Sequence, residues 1–158
     1  EGRAKSYYYA AVTTNAYRHA VDEYLSDPGG DYHLSPWIRE ELEKISHRAY
    51  STGFFFGTEP GQETVDGGYI RRYNAVAVCE ESSVDGVAVI TQRNKFLVGD
   101  VLDILPPDGH AYETRCLSLR NEEGEEVPSA PHPMQRLQIT TDVPLVKGAV
   151  IRKKNVEG

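Results

Sequence analysis

The hydrophobic positions follow two different spacings along the chain. Near the N-terminus Tyr17, Ala20, Val21 and Tyr24 fall at i, i+3, i+4 and i+7, the repeat of one helix face, which predicts an amphipathic helix from about Ser6 to Leu25. Ser26-Asp27-Pro28-Gly29-Gly30 stops it. A second helix is announced by Ser35 as N-cap and Pro36 at the first helical position, where a missing N–H is no loss. Its apolar stripe is Ile38, Leu42 and Ile45, with Glu40 and Lys44 as a supporting i, i+4 pair. It closes near His47-Arg48, side chains that suit the negative end of the helix dipole.

Near residue 60 the pattern changes. Thr58 to Gly68 is polar and glycine-rich and reads as a flexible connection, and from Tyr69 the period becomes two. Tyr69–Cys79, Gly86–Gln92, Asp100–Leu105, Tyr112–Leu119, Leu137–Thr141 and Ala149–Lys153 are short, rich in Val, Ile, Leu, Thr and Tyr, and separated by Gly, Asp, Asn and Pro. Six such strands with no helix between them point to an antiparallel barrel, because closure removes edges that a small sheet would expose. The predicted fold is α+β: a helical segment over 1–60, then a mainly antiparallel six-stranded β-barrel over 61–158. Its inward positions are expected to include Val76, Val78, Val89, Val101 and Ile104.

Charge narrows the choice of partners. Seventeen Lys plus Arg against 24 Asp plus Glu give a net charge of −7, so no global attraction to nucleic acid is expected. A local basic face escapes this, because screening over about 8 Å makes nearby charges count most. No apolar run approaches a membrane span, and the N-terminal residues do not follow the order of a signal peptide, so the expectation is a cytoplasmic protein with no membrane partner. Cys79 and Cys116 both sit in strand-like runs. Reduced, buried thiols are the expectation, with a disulfide or redox pair as the alternative.

Motifs for chemistry are missing. No phosphate loop, dinucleotide fingerprint, nucleophile elbow or zinc spacing is present, and His19, His33, His47, His110 and His132 are scattered. His19 with Glu23 is one weak pair, so neither a metal nor a cofactor is expected. The densest mixture of polar and aromatic residues is His47, Arg48, Tyr50 and Thr52-Gly53-Phe54-Phe55-Phe56-Gly57. A ligand groove is one reading, with rings as flat surfaces and Arg48 holding an anion. The simpler reading is that the three phenylalanines pack the helices onto the barrel. Gln92-Arg93-Asn94-Lys95-Phe96 is a basic, amide-rich connection suited to a phosphate or peptide backbone, or simply an exposed turn. Asn121-Glu122-Glu123-Gly124-Glu125-Glu126 reads as a solvated hairpin loop.

Five blocks in order carry a resemblance: Gly2-Arg3-Ala4-Lys5-Ser6 with Tyr8-Tyr9; Tyr17-Arg18-His19-Ala20; Ser46-His47-Arg48-Ala49-Tyr50-Ser51-Thr52-Gly53-Phe54; Gln92-Arg93-Asn94-Lys95-Phe96 with Gly99-Asp100; and Ala130-Pro131-His132-Pro133. Together they resemble the C-terminal part of the collagenase-like peptidases, family U32. The resemblance implies a small barrel like the second domain of translation elongation factors, preceded by the end of a catalytic domain that holds the chemistry and a cysteine cluster. It therefore implies a non-catalytic accessory part, inactive by itself, that binds substrate polypeptide or the missing catalytic domain. The alternative it implies is an RNA-guiding module of an enzyme that hydroxylates transfer- or ribosomal-RNA bases. The candidate binding residues are His47, Arg48, Tyr50, Gln92, Arg93, Asn94, Lys95 and His132. RNA gains if Arg71, Arg72, Arg93, Lys95 and Arg152-Lys153-Lys154 share a face. Weak self-association is expected through a helix face carrying Tyr7, Tyr8, Tyr9 and Val12, left apolar without the preceding domain.

Overall fold

A computed structural model describes residues 6–48, 50–57 and 70–155. Among these residues two helices, α1 (Tyr7–Ser26) and α2 (Pro36–Lys44), precede eight strands: β1 (Tyr73–Val84), β2 (Val87–Gln92), β3 (Phe96–Leu97), β4 (Val101–Leu105), β5 (Tyr112–Arg120), β6 (Ser129–Ala130), β7 (Arg136–Thr141) and β8 (Val150–Lys154). Six close into an antiparallel barrel in the order β1-β2-β7-β5-β4-β8, while β3 and β6 form a separate two-stranded ribbon. Those six are the strands that the period-two runs predicted. The ribbon went unread because two residues are too few to show a period. The connection at Thr58 to Gly68, and Tyr69, lie outside the described residues.

Local chemistry accounts for the joints. Asp85 and Gly86 both have positive φ, 51° and 83°, and link Val84 to Val87 as a two-residue hairpin turn whose backbone twist matches that of the strands. The turn lies beyond Cys79 because β1 continues through the polar Glu80–Ser83 before reversing.

The barrel interior holds Val76, Ala77, Cys79, Ile90, Leu102, Ile104, Leu119, Leu137, Ile139 and Ile151, among others. Val76 and Ile104 point inward as expected, but Val78 and Val89 are only half-buried and Val101 is 46% exposed. On β1 a register shift between Ala75 and Ala77 puts both Val76 and Ala77 into the core and turns Val78 outward. On β2 and β4 the inward set is Ala88, Ile90 and Gln92, and Leu102 and Ile104, so Val89 and Val101 fall on the other parity.

A second apolar cluster, Tyr8, Val12, Ile45, Leu105 and Val150, joins the helices to the outer face of β4 and β8. The buried side of α1 is thus Tyr8, Val12, Asn15 and Ala16, whereas Tyr17, Val21 and Tyr24 are 65, 51 and 51% exposed. Of the face assigned to self-association, Tyr8 and Val12 are covered by the barrel while Tyr7 is 42% exposed, and the Tyr17–Val21–Tyr24 stripe faces outward. Helix α2 keeps its Ser35 and Pro36 start and buries Ile38 and, just beyond its end, Ile45. It ends at Lys44, earlier than predicted, because Ile45 turns extended and His47 pairs with Ile70 in an antiparallel bridge.

Cys79 and Cys116 are free and buried, and burial pushes each thiol up to about 11. Thiolate is the reactive species. A disulfide-exchange reagent at pH 8 should leave both thiols intact in the native protein and titrate both in denaturant. Rapid reaction of either in the native state contradicts this placement.

Candidate nucleic-acid interface

Several cations are already used by the fold. Arg152 on β8 is fully buried between Asp103 of β4 and Glu41 of α2. Its Nη1 donates to Glu41 Oε2 at 2.7 Å, its Nε to Asp103 Oδ1 at 3.0 Å, and Nη2 reaches both carboxylates. Lys44 completes a charge-balanced quartet by donating to Glu41 at 2.6 Å and Asp103 at 2.9 Å, in place of the expected Glu40 pair. Burial alone would lower the Arg152 pKa, but hydrogen bonding to Glu41 and the charge of Asp103 outweigh it and hold the guanidinium charged. The Tyr8 and Tyr73 ring centroids are each 5.9 Å from that guanidinium carbon, and burial pushes the Tyr8 phenol up to about 12. Lys153 is bound to Asp100 at 2.6 Å and Arg72 to Glu43 at 2.9 Å.

The start of β1 and the end of β8 carry the remaining basic edge. Ile70, Arg71, Arg72, Lys154 and Asn155 line a recess of about 630 Å³. Asn155 braces it, donating from Nδ2 to the Arg71 carbonyl at 2.6 Å and accepting from Asn74 Nδ2 at 2.7 Å. Among the described residues, no carboxylate pairs with Arg71 or Lys154. Arg71 also lines an adjoining recess of about 400 Å³ with Tyr8, Tyr9, Asn74, Ala75 and Asn94. The 93–94 connection is fastened there, since Arg93 N donates to Val76 O at 2.7 Å and Asn94 Nδ2 to Ala75 O at 2.7 Å. Arg93 lies 5.5 Å from the Tyr7 ring centroid. Burial raises the Tyr7 phenol while Arg93 opposes it, so the ring stays neutral at pH 7.

Of the residues singled out from sequence, His47, Tyr50, Arg93 and Asn94 reach this edge or its margin. His47 exchanges backbone hydrogen bonds with Ile70, at 3.2 and 2.8 Å, next to Arg71. Tyr50 stacks on the His47 ring at 4.4 Å and 9° and donates its hydroxyl to Leu42 O at 2.7 Å. The His47 Nδ1–H donates to the carbonyl of the exposed Arg48 at 2.7 Å. Gln92 is different. It is buried, and its amide donates to Ala130 O at 2.9 Å inside the barrel, so it presents nothing to solvent. Lys95 is exposed beyond Asn94. The exposed His132 lies on a turn tied to Gln92 through Met134 N. The seven cations thus do not form one face. Arg71, Arg72 and Lys154 share a recess, and Arg93 adjoins through Asn94. Asn74, Asn155, Tyr7 and Tyr9 belong to the same edge and were missed, since nothing local marks a strand or helix residue as facing a neighbour's cation.

Elsewhere the fold gathers His19, Trp37 and His110, with His19–His110 centroids 5.3 Å apart and Trp37–His110 4.1 Å apart. Among the described residues no group of three or more His, Cys, Asp or Glu is placed to hold a metal. No described helix is long and apolar enough to cross a membrane.

The fold and this edge define a β-barrel module seated on a short helical base. The Peptidase family U32 C-terminal domain matches residues 71–152, and Peptidase family U32 matches residues 1–65. The chain belongs to peptidase family U32, the family its five sequence blocks resemble. It is 30% identical over 156 residues to tRNA hydroxylation protein P1 of Bacillus subtilis (strain 168), covering 97% of this chain and 37% of that protein. It is 34% identical over 134 residues to tRNA hydroxylation protein P of Escherichia coli (strain K12), covering 83% of this chain and 28% of that one. The chain therefore spans 37% and 28% of the lengths of these relatives. A solved structure, the C-terminal domain of a Geobacillus thermoleovorans protein described as a U32 peptidase, is 25% identical with a TM-score of 0.47, covering 51% of this chain and 99% of that one.

Proposed function

We propose that this chain is the RNA-holding, non-catalytic part of a transfer-RNA-hydroxylating protein of the U32 family. The observation that carries this reading is the 30% identity across 97% of the chain to a protein named for tRNA hydroxylation. The sequence had placed polypeptide binding first and RNA second; the relatives reverse that order. Arg71 and Lys154, without carboxylate partners among the described residues, supply positive charge for phosphates. Asn74, Asn94 and Asn155 each spend one Nδ2 hydrogen on the internal bonds that brace this edge and carry a second that suits sugar and phosphate oxygens. The net charge of −7 keeps the binding weak, because the attraction is local and the chain as a whole repels the strand.

Transfer RNA should bind with a Kd of about 1–100 µM at moderate salt, more tightly at low salt. Changing Arg71 and Lys154 together to Ala should weaken binding and lower the log–log salt slope by about 0.7 to 0.9 for each phosphate that is no longer neutralised. Fluorescence anisotropy across a salt series reads both. An affinity and slope unchanged by the double substitution, or measurable binding to an unstructured collagen-like peptide with none to tRNA, would sink the reading.

A further inference from the structure

Phe54, Phe55 and Phe56 are 74, 85 and 72% exposed, the reverse of the packing role that three consecutive phenylalanines suggest. Their turn is well made. Phe55 N donates to Thr52 O at 3.1 Å, Gly57 N donates to Phe54 O at 2.9 Å, and Gly57 closes the reversal at φ 75°. The backbone is satisfied by its own turn, and the rings are left on display. Phe55 and Phe56 meet edge to face, with centroids 5.2 Å apart at 88°, so one ring's edge occupies a single face of its neighbour and the other faces stay open. The turn also has a fixed root: Tyr50 stacks on His47, and His47 is bonded to Ile70, the neighbour of Arg71. Phe54 follows Tyr50 by four residues, which bounds their Cα separation at about 14 Å.

We propose that Phe54, Phe55 and Phe56 form a stacking platform for unpaired bases of a single-stranded RNA segment whose phosphates lie on Arg71 and Lys154. This rests on the RNA reading and narrows it from RNA in general to unpaired nucleotides. Charge complementarity selects the occupant. A single strand alternates anionic phosphates with flat apolar bases, and this edge places uncompensated cations close to the root of a turn bearing bare aromatic rings. The residues leading into the turn, Ser51 and Thr52, are themselves exposed and polar, which suits the sugars and phosphates of a strand.

The test uses the 158-residue chain with an unstructured RNA carrying 2-aminopurine, a base whose fluorescence is quenched by stacking, and with the same strand in a duplex. Two triple variants replace Phe54, Phe55 and Phe56 by Ala or by Leu, and a third carries Arg71→Ala with Lys154→Ala. Thermal unfolding unchanged from wild type confirms that the exposed substitutions leave the fold intact. The wild type is expected to quench the probe. Both triple variants should lose the quenching and bind the single strand about 10- to 100-fold more weakly, with duplex binding and salt slope unchanged. The platform is overturned if the Leu variant keeps wild-type affinity, if the Ala variant does, or if single strand and duplex weaken together. If the wild type binds neither RNA at low salt, or the Arg71/Lys154 variant binds as tightly as wild type, the RNA reading fails and the platform fails with it. Weakened binding in the Arg71/Lys154 variant with none in the triple variants refutes the platform alone.

Discussion

Arg152→Met should destabilise the folded protein by about 3–5 kcal/mol, the range for removing one partner of a buried ion pair. The guanidinium is fully buried and, among the described residues, is the only cation besides Lys44 placed on both Glu41 and Asp103. Without it the two carboxylates share one ammonium in a site from which water is largely excluded. Most of the destabilisation is therefore the penalty of leaving charge uncompensated rather than the worth of the missing hydrogen bonds. Replacing Glu41, Asp103 and Arg152 together by apolar residues of similar volume, with Lys44 changed to Met, should recover much of the stability, because the desolvated charges go as a set. Urea unfolding followed by circular dichroism measures both variants. A single-variant effect below about 1 kcal/mol would show that the site is wetter than the geometry implies.

Ile104→Ala should cost about 2–5 kcal/mol, since Ile104 is fully buried in the barrel interior and its removal leaves a cavity that a closed sheet cannot easily collapse. Val101→Ala on the same strand should cost less than about 0.5 kcal/mol, because Val101 is 46% exposed. The pair tests the strand's facing as well as its burial. Equal effects would mean that Ile104 and Val101 do not lie on opposite faces of β4, one inside the barrel and one outside it.

Legibility in the sequence followed the range of the interactions involved. The six barrel strands were readable because alternation records which residues a half-buried sheet can tolerate, and the Asp85-Gly86 turn because only certain residues accept positive φ readily. The start of α2 was readable from Ser35 and Pro36 for an equally local reason. His47, Tyr50, Arg93 and Asn94 stand out in the sequence through their local mix of ring, charge and amide, and the fold brings them to one edge or its margin. Gln92 sits in the same run but turns its amide into the barrel.

By itself, then, the sequence determined that a helical part gives way to strands and how many strands close the barrel, whereas for the two cysteines it left a disulfide open and the fold settled them as separate thiols. The first two depend on neighbours in the chain or on a repeating pattern of burial. Tertiary structure alone decided which stripe of α1 is covered, since Tyr8–Val12–Ala16 and Tyr17–Val21–Tyr24 have the spacing of a helix face equally well and only the outer surface of β4 and β8 chooses between them. It also decided the fates of two clusters whose composition misleads. Arg152 opens a basic run that looks solvated, yet it is drawn under α2 because Glu41 and Asp103, remote in sequence, converge on it. Phe54–Phe56 look like core and stand outside, because their turn satisfies its own backbone and no described apolar surface comes near enough to cover the rings. Burial of a particular side chain is settled by what else arrives at that place, and that information is spread over the whole chain.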